Sequence, residues 1–292
     1  MVPPPHVTKG LTVVTANAME GSPASRARRN PTTGLVATLF QMSGKTHLPG
    51  PVLVALLGEF GIGEAAARRH LARMREDDQL SGTRDGRTTR YRMSGTFGDR
   101  ARRLGTDLGT PPPAWEGHYH ALLFAVPESR RAYRDRLRRI ATYVGYGVLQ
   151  PGVLISVPDR SGELAGVLSG CPDDARVTPA TIGMDVEEAA RVAVPAWDLD
   201  DVARTLTGHA ERLEAALREP GTPAADGSTL RRLADLFNAL FIDLLRDPRL
   251  PPELRPPDWP FARLLRAMGE ARERFQPPAV EFLHRRLSEL DP

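Results

Sequence analysis

The chain has 292 residues, of which 41% are hydrophobic and 26% charged, an ordinary composition for a globular protein. This length exceeds that of one small core and predicts two or three domains. No apolar run is long enough to cross a membrane, and no secretory signal is recognisable at the N-terminus. The single cysteine, Cys171, excludes an intramolecular disulfide and favours a cytoplasmic location.

Charge is distributed unevenly along the chain. The first 105 residues contain 16 basic and 8 acidic residues, whereas the remainder contains 23 basic and 28 acidic residues. A basic segment joined to an acidic body is typical of a module that binds nucleic-acid phosphates. The alternative is a solvated arginine surface, because arginine far outnumbers lysine throughout the chain.

Residues 1–33 are rich in proline, glycine, serine and other small residues and show neither helical nor strand periodicity. We predict a disordered tail that ends in the basic stretch Arg26, Arg28 and Arg29. Such an arm could add non-specific phosphate contacts, although solubilising charge is the simpler interpretation.

Residues 34–105 show the pattern of a winged helix-turn-helix domain. Apolar residues between Leu35 and Met42 predict one helix, and a second helix begins at Pro51, where the missing N–H of proline costs nothing. A glycine turn leads into a third helix with a regular apolar stripe. After it, an Asp-Gly pair between two short extended runs predicts a β-hairpin, the wing.

The third predicted helix, residues 64–78, gives the strongest functional signal. Its apolar stripe would pack on the domain while its arginines enter a major groove, where guanidinium groups contact guanine or phosphate oxygens. The wing would lie over the neighbouring backbone and position the helix. The alternative is a solvent-exposed face whose arginines pair with nearby acidic residues. The candidate DNA-binding residues are Arg68, Arg69, Arg73, Arg84, Arg87, Arg90 and Lys45.

The rest of the chain divides into a mixed and a helical region. Residues 106–193 predict two β-α-β halves, with the last strand near Thr181–Val186, and this pattern favours a ferredoxin-like domain. Residues 194–292 predict a helical C-terminal domain. Its expected helices are Asp198–Glu219, Ser228–Arg246, Trp259–Phe275 and Pro278–Leu290. The predicted fold class is therefore α+β multidomain.

A regulatory ligand is expected outside residues 34–105, because the DNA-binding unit has little room for a pocket. Proline-rich turns at residues 248–260 lie beside apolar helices and offer an apolar site with a few polar groups. Arginines there could meet an anionic phosphate group. The alternative is that the tryptophans of this region are ordinary core residues. The candidate effector-binding residues are Trp197, Arg246, Arg249 and Trp259.

No catalytic pattern is convincing, so we predict no enzyme activity and no cofactor. The residues Gly145-Tyr146-Gly147 begin like a dinucleotide fingerprint but lack its third glycine, and a tight helix-to-strand turn is the better interpretation. His118 and His120 share one face of a strand and could place two imidazoles on a metal. Because no third ligand is near in the sequence, we predict no metal site.

Several stretches spread over the chain match one known family. They are residues 35–40, Arg68 and Arg73 in the third helix, Gly86-Arg87 and Tyr91-Arg92 in the wing, residues 115–117, 126–131 and 145–153, and most specifically residues 245–260. On these residues the chain resembles the phenylacetic-acid-degradation repressor family, the PaaX-type regulators, from about Gly34 to Leu287.

The resemblance implies a repressor whose DNA binding is relieved by a small effector, phenylacetyl-CoA in the best-known members. It also implies a central domain similar to the ferredoxin-like core of a CRISPR-associated endonuclease. In this chain Ala125 stands where such a core has a metal-binding acid. Two further departures are Asp78, where the family usually has a helix-ending glycine, and Leu154, where it usually has tryptophan.

We therefore predict a DNA-binding transcriptional regulator, most simply a repressor released by a small acyl-CoA-type effector. Its expected partners are double-stranded operator DNA and a second copy of the chain, with no membrane partner; two-fold symmetry would match a palindromic operator. One alternative is a metal-dependent nuclease-like or RNA-processing protein that uses the central domain. Another is an adaptor whose N-terminal domain contacts protein.

Overall fold

The computed structural model describes residues 31–86, 88–95, 98–99, 108, 110–112, 114–245 and 247–290. These residues form helices together with two antiparallel sheets, which confirms the predicted mixed class. The tail predicted for residues 1–30 lies outside the described residues. Residues 31–33, which were also assigned to that tail, belong to the first helix instead.

The N-terminal elements include three helices and a small sheet. In chain order they are α1 (Pro31–Ser43), β1 (Leu48–Pro49), α2 (Gly50–Gly58), α3 (Glu64–Glu76), β2 (Leu80–Asp85) and β3 (Thr88–Met93). The sheet order is β1-β3-β2, and both pairings are antiparallel. Strand β1 has only two residues and was not predicted, because so short a run has no alternation to detect.

The central region contains a four-stranded antiparallel sheet. Its elements are β4 (His118–Ala125), α4 (Arg131–Tyr143), β5 (Gly147–Gln150), β6 (Val153–Ser156), α5 (Ala165–Leu168) and β7 (Arg176–Gly183). The sheet order is β5-β6-β4-β7. Both faces of the sheet are covered: Tyr119 and Ala121 join one apolar cluster, whereas Leu122 joins another with the α4 residue Leu137. This alternation follows from the two-residue period of a strand.

Four α-helices follow the central sheet in the described residues. They are α6 (Val186–Trp197), α7 (Leu199–Arg218), α8 (Gly227–Leu245) and α9 (Phe261–Leu290). Helix α6 was not predicted, and the strand placed at Thr181–Val186 lies earlier, in β7. The side chain of Asp185 accepts a hydrogen bond from Glu188 N (2.8 Å) and thereby caps the start of α6.

Helix α9 is continuous, although the sequence predicted a break at Pro277 and Pro278. A proline inside a helix removes one backbone hydrogen bond and costs about 3 kcal/mol. Phe275 before the prolines and Ala279 and Leu283 after them are buried in the same apolar cluster. Packing of both halves against one core therefore keeps them in a single helix.

The N-terminal and C-terminal regions share that core. One apolar cluster joins buried residues between Leu35 and Leu80 to buried residues between Leu206 and Leu287. Helix α1 packs against α8, and Thr38 Oγ1 donates to Asn238 Oδ1 across this contact (3.1 Å). The position of the N-terminal helices is thus set by the C-terminal helices as well as by their own packing.

Candidate nucleic-acid interface

Helix α3 has one side against the body of the protein and the other side open. Ala67, Leu71 and Met74 are buried. Successive residues are about 100° apart around an α-helix, so Arg69 and Arg73 lie one turn apart on the opposite side. Both are exposed. Helix α3 therefore has an outward basic face of the kind that a groove-binding helix presents.

Arg68 also lies on α3, but its side chain is engaged. Its Nη2 and Nε donate to Glu64 Oε1 at 2.6 and 3.0 Å. By contrast, the side chains of Arg69 and Arg73 form no hydrogen bond or ion pair within the described part of the chain. All three arginines lie on the predicted helix. Of these three, Arg69 and Arg73 have guanidinium groups that are available to a ligand.

Both ends of α3 are stabilised by charge and backbone geometry. Glu64 in the first turn and Arg73 and Arg75 in the last turn complement the helix dipole. Asp78, just beyond the helix, has a φ of 62°, in the left-handed region that favours glycine. Asp78 thus adopts the helix-ending conformation in which glycine is the usual residue.

The hairpin β2–β3 carries its arginines on two faces. Thr83 pairs with Arg90 while Arg84 pairs with Thr89, so the two arginines point to opposite sides. Arg90 Nε donates to Asp85 Oδ2 (2.7 Å), and Arg84 Nε donates to the backbone oxygen of the turn residue Gly86 (3.2 Å). Both bonds are local and exposed, so a phosphate can compete for these donors. Arg87 lies outside the described residues.

Lys45 lies in the connection between α1 and β1 and is exposed. Its backbone N–H donates to Ser43 Oγ (3.2 Å), whose hydroxyl donates to Phe40 O (2.9 Å) and closes the end of α1. This connection leads into β1, where Pro49 pairs with Arg90 of the hairpin. Lys45 therefore precedes the same small sheet that bears the hairpin arginines.

His70 is a residue of α3 that the sequence analysis missed. Its Nε2 lies 3.4 Å from Thr33 Oγ1 of α1. Burial lowers the pKa of His70 below its ordinary value, and the nearby guanidinium of Arg73 lowers it further. The position of His70 in the sequence could have indicated this contact, because it lies next to the apolar stripe of α3 near Ala67. That position places the imidazole between α3 and α1 rather than on the outward face of α3.

The two tryptophans of the candidate effector site are packed against the apolar cluster of the central sheet. Trp197 Nε1 donates to Gly145 O (3.0 Å), and a Cβ at Gly147 would lie 2.6 Å from the indole ring. The close approach explains a glycine at that position. Trp197 and Trp259 thus have the environment of core residues, which was the alternative left open by the sequence.

Arg249 has a different environment. Its guanidinium lies over the ring of Phe261, 5.1 Å from the centroid, and its Nη2 donates to Thr110 O. It lines a cavity of about 250 Å³ together with Arg255 and Asp247. Neither Trp197 nor Trp259 lines that cavity. Arg246 lies outside the described residues.

The paired histidines of β4 were the alternative metal site. The ring centroids of His118 and His120 are 5.2 Å apart, on one face of the strand as expected. No group of three histidine, cysteine, aspartate or glutamate side chains suited to a metal occurs among the described residues. At the other end of β4, Ala125 pairs with Arg176.

In the part of the chain that the structure describes, none of the helices combines the length and apolar character needed to cross a membrane.

Three family models match consecutive parts of the chain. A model described as PaaX-like protein matches residues 32–97, one described as PaaX protein central Cas2-like domain matches residues 112–194, and one described as PaaX-like protein C-terminal domain matches residues 197–285. The chain belongs to the PaaX family.

Individual relatives show the same similarity. The transcriptional repressor PaaX of Escherichia coli (strain K12) is 27% identical over 268 residues, which cover 86% of this chain and 82% of the relative. A solved structure, that of the uncharacterized protein Rv0674 from Mycobacterium tuberculosis, is 25% identical with a TM-score of 0.47. The match covers 82% of this chain and 90% of the Rv0674 chain.

Proposed function

We propose that the chain is a sequence-specific DNA-binding transcriptional repressor. The observation that carries this proposal is the outward face of α3, where Arg69 and Arg73 are exposed beside a hairpin with further arginines. The order of helices, turn, helix and hairpin supports interpreting residues 34–105 as a winged helix-turn-helix. The family relative in Escherichia coli carries the name of a transcriptional repressor, which supports the sign of regulation.

Helix α3 would lie in the major groove of operator DNA. Arg69 and Arg73 would direct guanidinium groups at guanine O6 and N7, which the fork of arginine donors matches. The hairpin arginines, Arg87 among them, and Lys45 would contact phosphates and hold the helix in register. Arg68 would contribute less to base reading, because Glu64 offsets its charge.

The remaining domains would serve assembly and regulation. The strand order is β5-β6-β4-β7, and helices α4 and α5 lie in the connections between strands. This arrangement supports a ferredoxin-like interpretation of residues 106–193. Residues 194–292 form the helical domain of this proposal. We propose a homodimer, because a two-fold symmetric protein matches a palindromic operator.

A small acyl-CoA-type effector would release the DNA. Arg249, beside its cavity, offers a charged group to an anionic phosphate, and Arg246 remains a predicted contact. Such a ligand must bind the released state more tightly than the DNA-bound state, so operator DNA should weaken its binding in return.

A nuclease-like or RNA-processing activity is not favoured. Ala125 at the end of β4 supplies no carboxylate to a metal, and the relative's name is that of a repressor. We therefore propose that the chain is not an enzyme.

The test is binding of the full chain to a labelled duplex from the region upstream of its own gene, measured by fluorescence anisotropy. Affinity should fall steeply as salt rises, because arginines that contact phosphates release counterions. A logarithmic slope near zero between low and physiological salt would remove the DNA-binding proposal.

Substitutions then assign the reading element. Arg69→Ala and Arg73→Ala should each cost about 1–3 kcal/mol of specific binding and relax base preference, as expected for lost bidentate contacts. Arg139→Ala is the matched control, since Arg139 is an exposed arginine on α4 of the central region. If the control weakened binding as much as the α3 variants did, α3 would not be the reading helix.

A further inference from the structure

A second cavity lies between the N-terminal and C-terminal helices. It has a volume of about 290 Å³ and is bounded by α1 on one side and by α8 and α9 on the other. Most of its wall is buried apolar side chain. The wall includes Met42 from α1, Leu233, Phe237 and Leu240 from α8, and Met268 from α9.

The rim of this cavity is polar. Its lining also includes Gln41 on α1 and Arg272 and Gln276 on α9. Arg272 is exposed, and its guanidinium carbon lies 5.9 Å from the centroid of the Phe237 ring. Within the described residues the guanidinium of Arg272 has neither a carboxylate nor a hydrogen-bond acceptor as partner. An apolar chamber thus opens beside two amides and a guanidinium that is unpaired among the described residues.

We infer that this cavity is a binding site for a small organic anion, an aryl or alkyl carboxylate. The apolar body would displace water from the buried wall, and this transfer of apolar surface out of water favours binding. The carboxylate would accept two parallel hydrogen bonds from Arg272, the geometry that a planar guanidinium favours. Gln41 and Gln276 would donate amide hydrogens to the same group.

The volume limits the size of the ligand. Cavities for small molecules start at about 300 Å³. The cavity of about 290 Å³ therefore suits a short carboxylate. It differs from the cavity at Arg249, since Leu108 is the one residue that the two linings have in common.

The position of the cavity couples it to the DNA-binding helices. A ligand would touch α1 and α8 at once, and α8 and α9 also hold the turn before α3. Arg231 Nη1 donates to Glu59 O (3.2 Å), and Arg286 Nε donates to Glu59 Oε1 (3.0 Å). A ligand that prefers one arrangement of α1 against α8 therefore shifts the population of α3 positions. This coupling rests on the function proposed above, whereas the binding site rests on the cavity alone.

Binding is tested first, with the full chain and no DNA. The probe is 8-anilinonaphthalene-1-sulfonate, an aromatic anion whose fluorescence rises in apolar sites, displaced by octanoate or by its neutral isostere octanamide. Octanoate should displace the probe at least tenfold more effectively than octanamide. Arg272→Gln should reduce that preference to less than threefold. Arg266→Gln, an exposed arginine of α9 that does not line the cavity, should preserve it.

Equal displacement by octanoate and octanamide, or equal loss of preference in the two variants, would overturn the site. The second measurement repeats the operator titration at saturating octanoate, where we expect at least a threefold change in affinity that Arg272→Gln abolishes. Octanoate binding without any change in DNA affinity would overturn the proposed coupling to DNA binding, whereas the proposed binding site would still stand. Failure of the unliganded protein to bind DNA would overturn the proposed function and leave the first measurement intact.

Discussion

Arg68 and Arg69 are neighbours in the sequence, yet they differ in what they can offer to DNA. The guanidinium of Arg68 is bonded to Glu64, and that of Arg69 is open to solvent. Helical periodicity could predict that the arginines of α3 avoid the apolar stripe. It could not predict which of them an acidic neighbour one turn away would engage, because several rotamers of each side chain are compatible with the same backbone.

His70 should make stability depend on pH. Its folded-state pKa is lowered by burial and by Arg73, so below its ordinary value of about 6.5 the unfolded chain binds more protons than the folded chain. The contribution of His70 is therefore present above about pH 6.5 and is lost as the pH falls toward the lowered pKa. His70→Gln should flatten the change in urea-unfolding free energy between pH 7.5 and 5.5.

The matched control is His284→Gln, at an exposed histidine on α9. It should leave the pH dependence as in the unmodified chain. A His70→Gln protein with an unaltered pH dependence would show that the imidazole between α1 and α3 is not the titrating group.

At the scale of elements, the contact between α1 and α8 depends on a glycine. A Cβ at Gly34 would lie 2.7 Å from Asn238 O, which is backbone and cannot move aside cheaply. Gly34→Ala should therefore destabilise the protein by about 1–3 kcal/mol, the usual effect of overpacking. The measurement is the midpoint of denaturant unfolding.

Gly58 on α2 is the matched control, because a Cβ there meets no atom within 4 Å. Gly58→Ala should be neutral or stabilise by up to about 1 kcal/mol, since alanine favours a helix over glycine. Equal effects of the two substitutions would mean that α1 and α8 do not approach as closely as the structure has them.

Two elements show which parts of the fold could not be predicted from the sequence. The helices of the N-terminal region and the hairpin followed from periodicity and turn chemistry, because both are local properties of the chain. Strand β1 depends on its partner β3, and the passage of α9 through Pro277 and Pro278 depends on burial of Phe275 and Leu283 in a core built from distant segments. Tertiary contacts overrode local preference in both places, and these contacts are not visible in a single sequence.

At the scale of the whole molecule, Glu59 links the N-terminal helices to α9. Glu59 lies in the connection between α2 and α3. Its carboxylate accepts a hydrogen bond from the side chain of Arg286, near the end of α9. Both side chains are partly buried. A double-mutant cycle of Glu59→Gln and Arg286→Gln should give a coupling of about 1 kcal/mol in unfolding free energy. Both single variants should also weaken operator binding, because the turn before α3 loses its support.

Glu289→Gln is the control, since Glu289 is the other carboxylate partner of Arg286 and lies on the same helix as Arg286. This change should leave DNA affinity within a factor of two. Additive effects of the Glu59 and Arg286 substitutions on stability would show that the pair does not connect α9 to the turn.

The candidate interface was predictable from sequence because it lies on one helix and one hairpin. The cavity at Arg272 was not, since α1, α8 and α9 are far apart in the chain and only the fold brings Gln41 near Arg272. The three domain boundaries remain proposals for the same reason. Boundaries drawn from composition treat residues 34–105 as a unit, whereas the apolar cluster of that unit includes side chains from Leu206 to Leu287.

The shared core has a consequence for how the protein is made. A ribosome releases the N-terminal residues first, and domains generally fold in that order as they emerge. The apolar side of α1 must here wait for α8 and α9, whose buried residues in the shared cluster extend to Leu287. Until α9 has left the ribosome the nascent chain exposes this surface, so messages truncated before α9 would yield products for chaperones and proteases rather than shorter repressors.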